Sequence, residues 1–144
     1  MIKLQKMLGV IDRCSIKYKN SAFSDLGLSG CNYVYVFVLN RLGECSLDEL
    51  AKEVHLNKSN VTREVQSLEE SGFVIVKTDN VDKRYKKVCL TTKAKEVIPL
   101  IIQRIKKWNE VLLEGFTIEE KEVLNDMLVR IMANAIRNDE YEDI

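Results

Sequence analysis

The sequence predicts a mainly α fold with one small β-hairpin, its elements in the order α-α-α-α-β-β-α-α. Three observations carry this. Two short amphipathic runs, residues 46–54 and 58–71, are separated by a tight break. Directly after them, Phe73-Val74-Ile75-Val76 and Lys87-Val88-Cys89-Leu90 are β-rich and flank a charged tip. Both ends of the chain carry long apolar stripes at helical spacing. A helix pair followed by a basic hairpin makes the parts of a winged helix-turn-helix, here with terminal helices forming a dimerisation region.

Taken in order, residues 1–21 place Leu4, Met7, Leu8, Ile11, Cys14 and Tyr18 on one helical stripe. Residues 23–30 form a connector with two glycines. Ser29 reads as the N-cap of a helix over Gly30–Leu42. The run Tyr33–Leu39 is aromatic and β-branched without polar alternation, so periodicity leaves strand and helix open; helix is chosen because it completes a three-helix core. Gly43 ends it. Ser46-Leu47-Asp48-Glu49 has the form of a capping box and opens the next helix. His55-Leu56-Asn57 makes the turn, Lys58–Ser71 the following helix, and Gly72 its stop. The hairpin spans Phe73–Thr91. A long helix over Thr92–Glu114 contains Pro99, which should kink or split it. Thr117-Ile118-Glu119-Glu120 is a second capping box, opening the last helix; residues 138–144 form an acidic tail expected to fray.

At 144 residues and 46% hydrophobic composition the chain supports one domain, 1–144. Within it, 30–91 is the winged helix-turn-helix region, and 1–21 with 92–138 the helical dimerisation region. No apolar run approaches the ~20 residues of a membrane span, and the N-terminal run lacks the form of a signal peptide, so a cytoplasmic location is expected. The 22 basic and 22 acidic residues cancel, but unevenly. Residues 55–107 hold 12 Lys/Arg against 6 Asp/Glu; residues 108–144 hold 3 against 10. A basic middle beside an acidic tail suits a nucleic-acid face on one part of the chain. Cys14, Cys31, Cys45 and Cys89 show no C-x-x-C spacing, and the single His55 cannot complete a zinc cluster. They read as reduced thiols in or near the core, with no metal and no cofactor. Without a Gly-rich phosphate loop or a catalytic constellation, an enzyme has little support.

In Lys58–Ser71, Val61, Val65 and Leu68 share one face, suited to docking on the domain. Roughly opposite fall Ser59, Arg63 and Gln66, with Asn60 and Thr62 on the flanks near the N-terminal end, beside Lys58. Arg can grip guanine with two prongs, Gln or Asn can do the same for adenine, and Thr can meet a thymine methyl or a phosphate. The alternative is an ordinary surface helix, and Glu64, Glu69 and Glu70 weigh on that side because acids repel phosphate. The hairpin tilts the balance: Lys83, Arg84, Lys86 and Lys87 place four cations within five residues. An arginine on a stiff loop suits a narrow minor groove, where the negative potential is strongest. Asp82 fits a positioning role, holding Arg84 extended by ion pairing. Double-stranded DNA is therefore the expected partner.

These residues also carry a resemblance. Asp82, Arg84, Leu90 and Thr91 match a D-x-R-x5-L-T wing, and Ser59, Val61, Thr62, Arg63, Val65, Leu68, Glu69 and Gly72 match S-x-V-T-R-x-V-x-x-L-E-x-x-G. Leu47–Thr91 thus resembles the MarR (multiple antibiotic resistance regulator) family of transcription factors, and the layout of helices extends the likeness over nearly the whole chain. The resemblance implies a homodimer built from the first and last two helices, a wing in each minor groove, and repression of nearby genes relieved by a small ligand or by thiol oxidation.

The apolar stripes at Leu100, Ile101, Ile105, Trp108, Leu112, Met127, Leu128, Ile131 and Met132 exceed what a short reading head can bury, which also points to a second copy of the chain. Tyr18, Tyr33, Phe37 and Trp108 are candidates to line a pocket for a small-molecule effector, against the plainer reading that they are core. Cys14 and Cys31 are candidate redox switches, Cys31 because a helix N-terminus can lower a thiol's pKa; the plainer reading is that they are small hydrophobes. A function of another class stays open: a winged-helix module that binds only protein partners.

Overall fold

The computed structural model describes residues 2–139. Its elements are α1 (Ile2–Phe23), a 3-10 turn (Ser24–Leu26), α2 (Tyr33–Leu42), β1 (Cys45–Ser46), α3 (Leu47–Val54), α4 (Lys58–Glu70), β2 (Val74–Thr78), β3 (Lys86–Leu90), α5 (Thr92–Leu112) and α6 (Ile118–Asp139). The chain forms two compact units that divide after Trp108, within α5.

The first unit holds the core. Tyr35, Val36, Val38 and Leu39 of α2 are buried, which settles the ambiguous aromatic run as a helix with a broad inward stripe. Around it close Phe23, Leu28, Leu50, Val61, Val65, Leu68, Phe73, Val74, Val88, Ala94, Ile98 and Ile101. Each large side chain so enclosed contributes about 1.5–3 kcal/mol by leaving water. Arg104 of α5 ties into this unit: its guanidinium donates to the Ala22 carbonyl and makes a two-pronged pair with Asp25 at 2.6 and 2.9 Å. The Tyr35 hydroxyl is buried with no hydrogen-bond partner among the described residues. Burial, reinforced by the charges of Glu64 and Cys31 and opposed by that of Arg63, pushes its pKa up to about 12.

The sheet has three strands in the order β1-β3-β2, both pairings antiparallel. The expected two-stranded hairpin therefore gains β1, with Cys45 opposite Val88 and Ser46 opposite Lys87. Two residues are too few to show a period-2 pattern, so this strand exists only through its non-local partner. The other edge is covered as well: the Glu69 carboxylate of α4 accepts the Val76 amide at 3.1 Å.

Other expectations shift. The second helix begins at Tyr33, not Gly30, because residues 29–32 bond otherwise. Ser29 Oγ accepts the amides of Cys31 and Asn32 at 3.2 and 3.0 Å, and Asn32 Oδ1 accepts that of Ser29 at 2.8 Å. Gly30 donates to Asn20 Oδ1 of α1 at 2.6 Å. A Cβ at Gly30 would stand 2.7 Å from the Ile16 carbonyl oxygen, so the glycine permits a close approach to α1. Pro99 neither splits α5 nor ends it; Lys95, whose carbonyl loses its bond to the missing N–H, is exposed like Pro99 itself. Cys14 and Cys31 are exposed, Cys89 is half-buried and only Cys45 is buried, all four as free thiols. The expectation of thiols in or near the core thus fails for the first two. Ile101, assigned above to a partner, is fully buried in its own chain's core, and Ile105 packs against that core.

In the second unit, Thr117 and Glu120 form the expected reciprocal cap at 2.9 and 3.1 Å. No residue of α6 is buried, and Val123, Met127, Leu128, Val129, Ile131 and Met132 are among its exposed apolar side chains.

Candidate nucleic-acid interface

The reading head is built by local chemistry. Ser46 Oγ accepts the Glu49 amide at 3.1 Å and Glu49 Oε2 accepts that of Ser46 at 3.3 Å, so α3 starts on a closed capping box. His55 then adopts a left-handed conformation, φ 55°, which turns the chain sharply into α4. Asn57 caps α4 by accepting the Asn60 amide at 2.9 Å. Lys58 pairs with Asp48 at 3.1 Å, stapling α4 to α3.

Val61, Val65 and Leu68 of α4 are buried. This leaves Lys58, Ser59, Thr62, Arg63 and Gln66 exposed and Asn60 half-buried. Arg63 Nη2 donates to Asn60 Oδ1 at 2.8 Å, and the Thr62 hydroxyl donates to the Lys58 carbonyl at 2.7 Å. Thr62 thus spends its only donor within the helix and can meet a ligand only as an acceptor or through its methyl. One of the three acids that spoke for a plain surface helix has another occupation, Glu69, which accepts the Val76 amide of β2; Glu64 is half-buried.

The loop between β2 and β3 closes on itself. Asp79 N–H donates to the Tyr85 carbonyl at 2.9 Å and Tyr85 N–H to that of Asp82 at 3.0 Å. Asp82 Oδ1 accepts from the Arg84 amide at 3.0 Å and from its Nε at 3.1 Å, while Oδ2 accepts from Nη2 at 2.9 Å. The Arg84 side chain is 86% exposed and that of Asp82 30%, so the cation projects while the acid beneath it is sheltered. The same bonds hold the Asp82 carboxyl below the usual carboxylate range, the Arg84 side chain contributing most and its amide next. Lys83, Lys86 and Lys87 are exposed nearby. Lys87 stands opposite Lys77 across the β2–β3 pair. An open cleft of ≈ 580 Å³ beside this loop is lined by Glu44, Lys77, Thr78, Asp79, Asn80, Val81 and Lys87.

The aromatic candidates separate into two groups. Tyr18 stacks on Trp108 with centroids 4.6 Å apart and planes at 17°, and Trp108 Nε1 donates to Ser15 Oγ at 2.9 Å. Tyr33 meets Phe37 edge-on at 6.0 Å and Phe23 at 5.3 Å. Cys14 lies on α1, and Cys31 in the turn directly before the N-terminus of α2. Among the described residues no group of three or more His, Cys, Asp or Glu could hold a metal ion, and no helix is long and apolar enough to cross a membrane.

The model of the MarR family matches residues 31–86. Over 98% of its length the chain is 31% identical to an uncharacterized HTH-type transcriptional regulator of Bacillus subtilis (strain 168), YybA, covering 94% of that protein. The chain belongs to the MarR family. MarR-family proteins are transcriptional regulators, and solved structures agree on the winged-helix fold. The transcriptional regulator SlyA superposes with a TM-score of 0.88 at 27% identity, over 96% of this chain and 97% of that one. A MarR family transcriptional regulator from Listeria monocytogenes, solved in complex with a 26mer DNA, gives 0.84 at 26% identity, over 95% and 91%.

Sequence reasoning missed the job of one residue in the MarR wing pattern. Thr91 donates its hydroxyl to the Gly72 carbonyl at 2.7 Å and accepts the Ala94 amide at 3.2 Å, while its amide donates to the Phe73 carbonyl at 3.1 Å. It clasps the base of the wing to the end of α4 and the start of α5. A Thr directly before a helical run is the capping signal that could have revealed it.

Proposed function

We propose that this MarR-family chain is a sequence-specific DNA-binding homodimer, acting as a repressor in the cytoplasm. In this reading α4 enters the major groove with Ser59, Asn60, Thr62, Arg63 and Gln66, with Lys58 at its N-terminus. The wing carries Arg84, flanked by Lys83 and Lys86, into the minor groove. The observation that carries the reading is Arg84 itself, a cation almost fully exposed yet held at two points by Asp82. An ion pair that merely stabilised a surface turn would gain little at such exposure; a fixed, projecting guanidinium suits a narrow groove. The Listeria relative solved with DNA supports the same use of this fold.

Residues 30–91 form the reading region, and 1–21 with 92–138 join two copies. The exposed apolar side chains of α1 and α6, among them Met7, Val10, Ile11, Met127, Leu128 and Met132, support that pairing. Two-fold symmetry then calls for a pseudo-palindromic operator with half-sites about one helical turn apart. Release follows a small ligand near Tyr18, Tyr33, Phe37 and Trp108, or oxidation at Cys14 or Cys31, whose exposure leaves the thiols open to reagent. Titration of labelled operator DNA at two salt concentrations, beside a scrambled duplex, tests the DNA reading. Preference for the operator with a steep salt dependence is expected; flat, unselective binding would favour a protein-interaction module instead.

A further inference from the structure

Resting on that reading, we infer that Asn60 reads no base itself: it is a positioning residue that fixes Arg63 for guanine. On chemistry alone, an Asn near the start of a recognition helix is suited to adenine, because its amide offers one acceptor and one donor side by side. Here the acceptor already has a partner. Asn60 Oδ1 receives Arg63 Nη2 at 2.8 Å, and arginine has donors only, so the amide must turn its oxygen to Arg63 and its NH2 away. With one of the two lone pairs of that oxygen held by Arg63, a two-pronged adenine contact would have to share the oxygen with the guanidinium.

Arg63 gains what Asn60 gives up. A free arginine must be ordered when it docks, at a cost in side-chain entropy. Asn60 is half-buried and its backbone N–H is held by the Asn57 side chain, while Arg63 is exposed, so Asn60 is the more anchored partner in an i, i+3 pair. Of the five N–H groups of the guanidinium, one is spent on Asn60 and four remain, enough for a two-pronged grip on guanine O6 and N7. The pair therefore presents chiefly donors to the groove, Arg63 N–H groups flanked by the Asn60 NH2. Such a surface selects a guanine at one position per half-site and carries no requirement for adenine beside it.

The test compares wild type, Asn60→Ala, Asn60→Asp and Arg63→Ala on a set of operators carrying every single-base change in one half-site. Wild type should prefer guanine at one position by roughly 5- to 150-fold. Arg63→Ala should abolish that preference. Asn60→Ala should weaken it at the same position and at no other. Asn60→Asp should retain it, since a carboxylate still accepts the Arg63 N–H, while binding all DNA less tightly because of its charge. Loss of an adenine preference at a neighbouring position in Asn60→Ala would overturn the inference, as would an unaltered guanine preference in that variant. Wild type with no preference on any DNA, in a pool of random sequence included, would overturn the DNA reading and this inference with it.

Discussion

Replacing Asp82 with Ala should weaken operator binding even though it removes a negative charge from the wing. Asp82 makes three hydrogen bonds to Arg84, between 2.9 and 3.1 Å. Without them the Arg84 side chain is free until it docks, and immobilising such a chain costs about 0.5–1.5 kcal/mol. With two wings in the proposed dimer the penalty is about 1–3 kcal/mol, or roughly 5- to 150-fold in Kd. The opposing effect is smaller. A carboxylate about 8 Å from a phosphate repels it by about 0.5 kcal/mol in water, so by about 1 kcal/mol for two wings, and by roughly half that or less once salt screens it. Removing Asp82 also leaves Arg84 uncompensated, so the salt dependence should steepen, by at most about 2 in the slope of log K against log salt for two wings. Fluorescence anisotropy across a salt series reads both quantities. The predicted signature is a weaker Kd at moderate salt together with a steeper slope. Affinity equal to or better than wild type at every salt concentration would refute the positioning role.

Three further outcomes follow from the geometry. Leu68→Ala, at a fully buried site that docks α4, should cost about 2–5 kcal/mol in urea unfolding; a loss under 1 kcal/mol would mean that α4 is not anchored by this residue. Tyr35→Phe deletes the unpartnered buried hydroxyl and should raise stability by about 1 kcal/mol, whereas a clear loss would mean that the hydroxyl is bonded in solution. Asp25 is held below the usual carboxylate range, chiefly by its hydrogen bonds from Arg104. Its contribution to stability is therefore complete above the ordinary aspartate value of about 3.9 and is lost as pH falls through the lowered one. Urea midpoints of wild type and Asp25→Asn should differ at neutral pH, and the gap should shrink steadily as the pH falls below the ordinary aspartate value of about 3.9; a gap that does not shrink in acid would contradict the pairing.

The parts legible in the sequence are those decided by near neighbours. The capping boxes at Ser46/Glu49 and Thr117/Glu120 need only residues three apart, and both close as expected. The buried face of α4 and the Asp82–Arg84 pair are equally local. What escaped depends on distant chain. The start of α2 is displaced because Gly30 bonds to Asn20 of α1 while Ser29 bonds to Cys31 and Asn32. The two residues of β1 are a strand only because β3 lies beside them. Ile101 looked free for a partner because its stripe on α5 continues that of Leu112, while the fold buries the first part of the helix in its own core. For the reading face, sequence supplied the residue types but not their internal bonds. Asn60 and Thr62 looked equally available to DNA, and only the geometry commits the oxygen of one and the hydroxyl proton of the other.

The most direct test is an anisotropy titration of the wild-type chain against its own upstream intergenic DNA at two salt concentrations, with scrambled DNA as the control and a random-sequence pool in reserve. Tight, salt-sensitive binding that favours the upstream sequence or one recovered from the pool, at two chains per duplex, is expected. Binding no tighter to any sequence than to scrambled DNA would contradict it and leave the exposed wing to a protein partner.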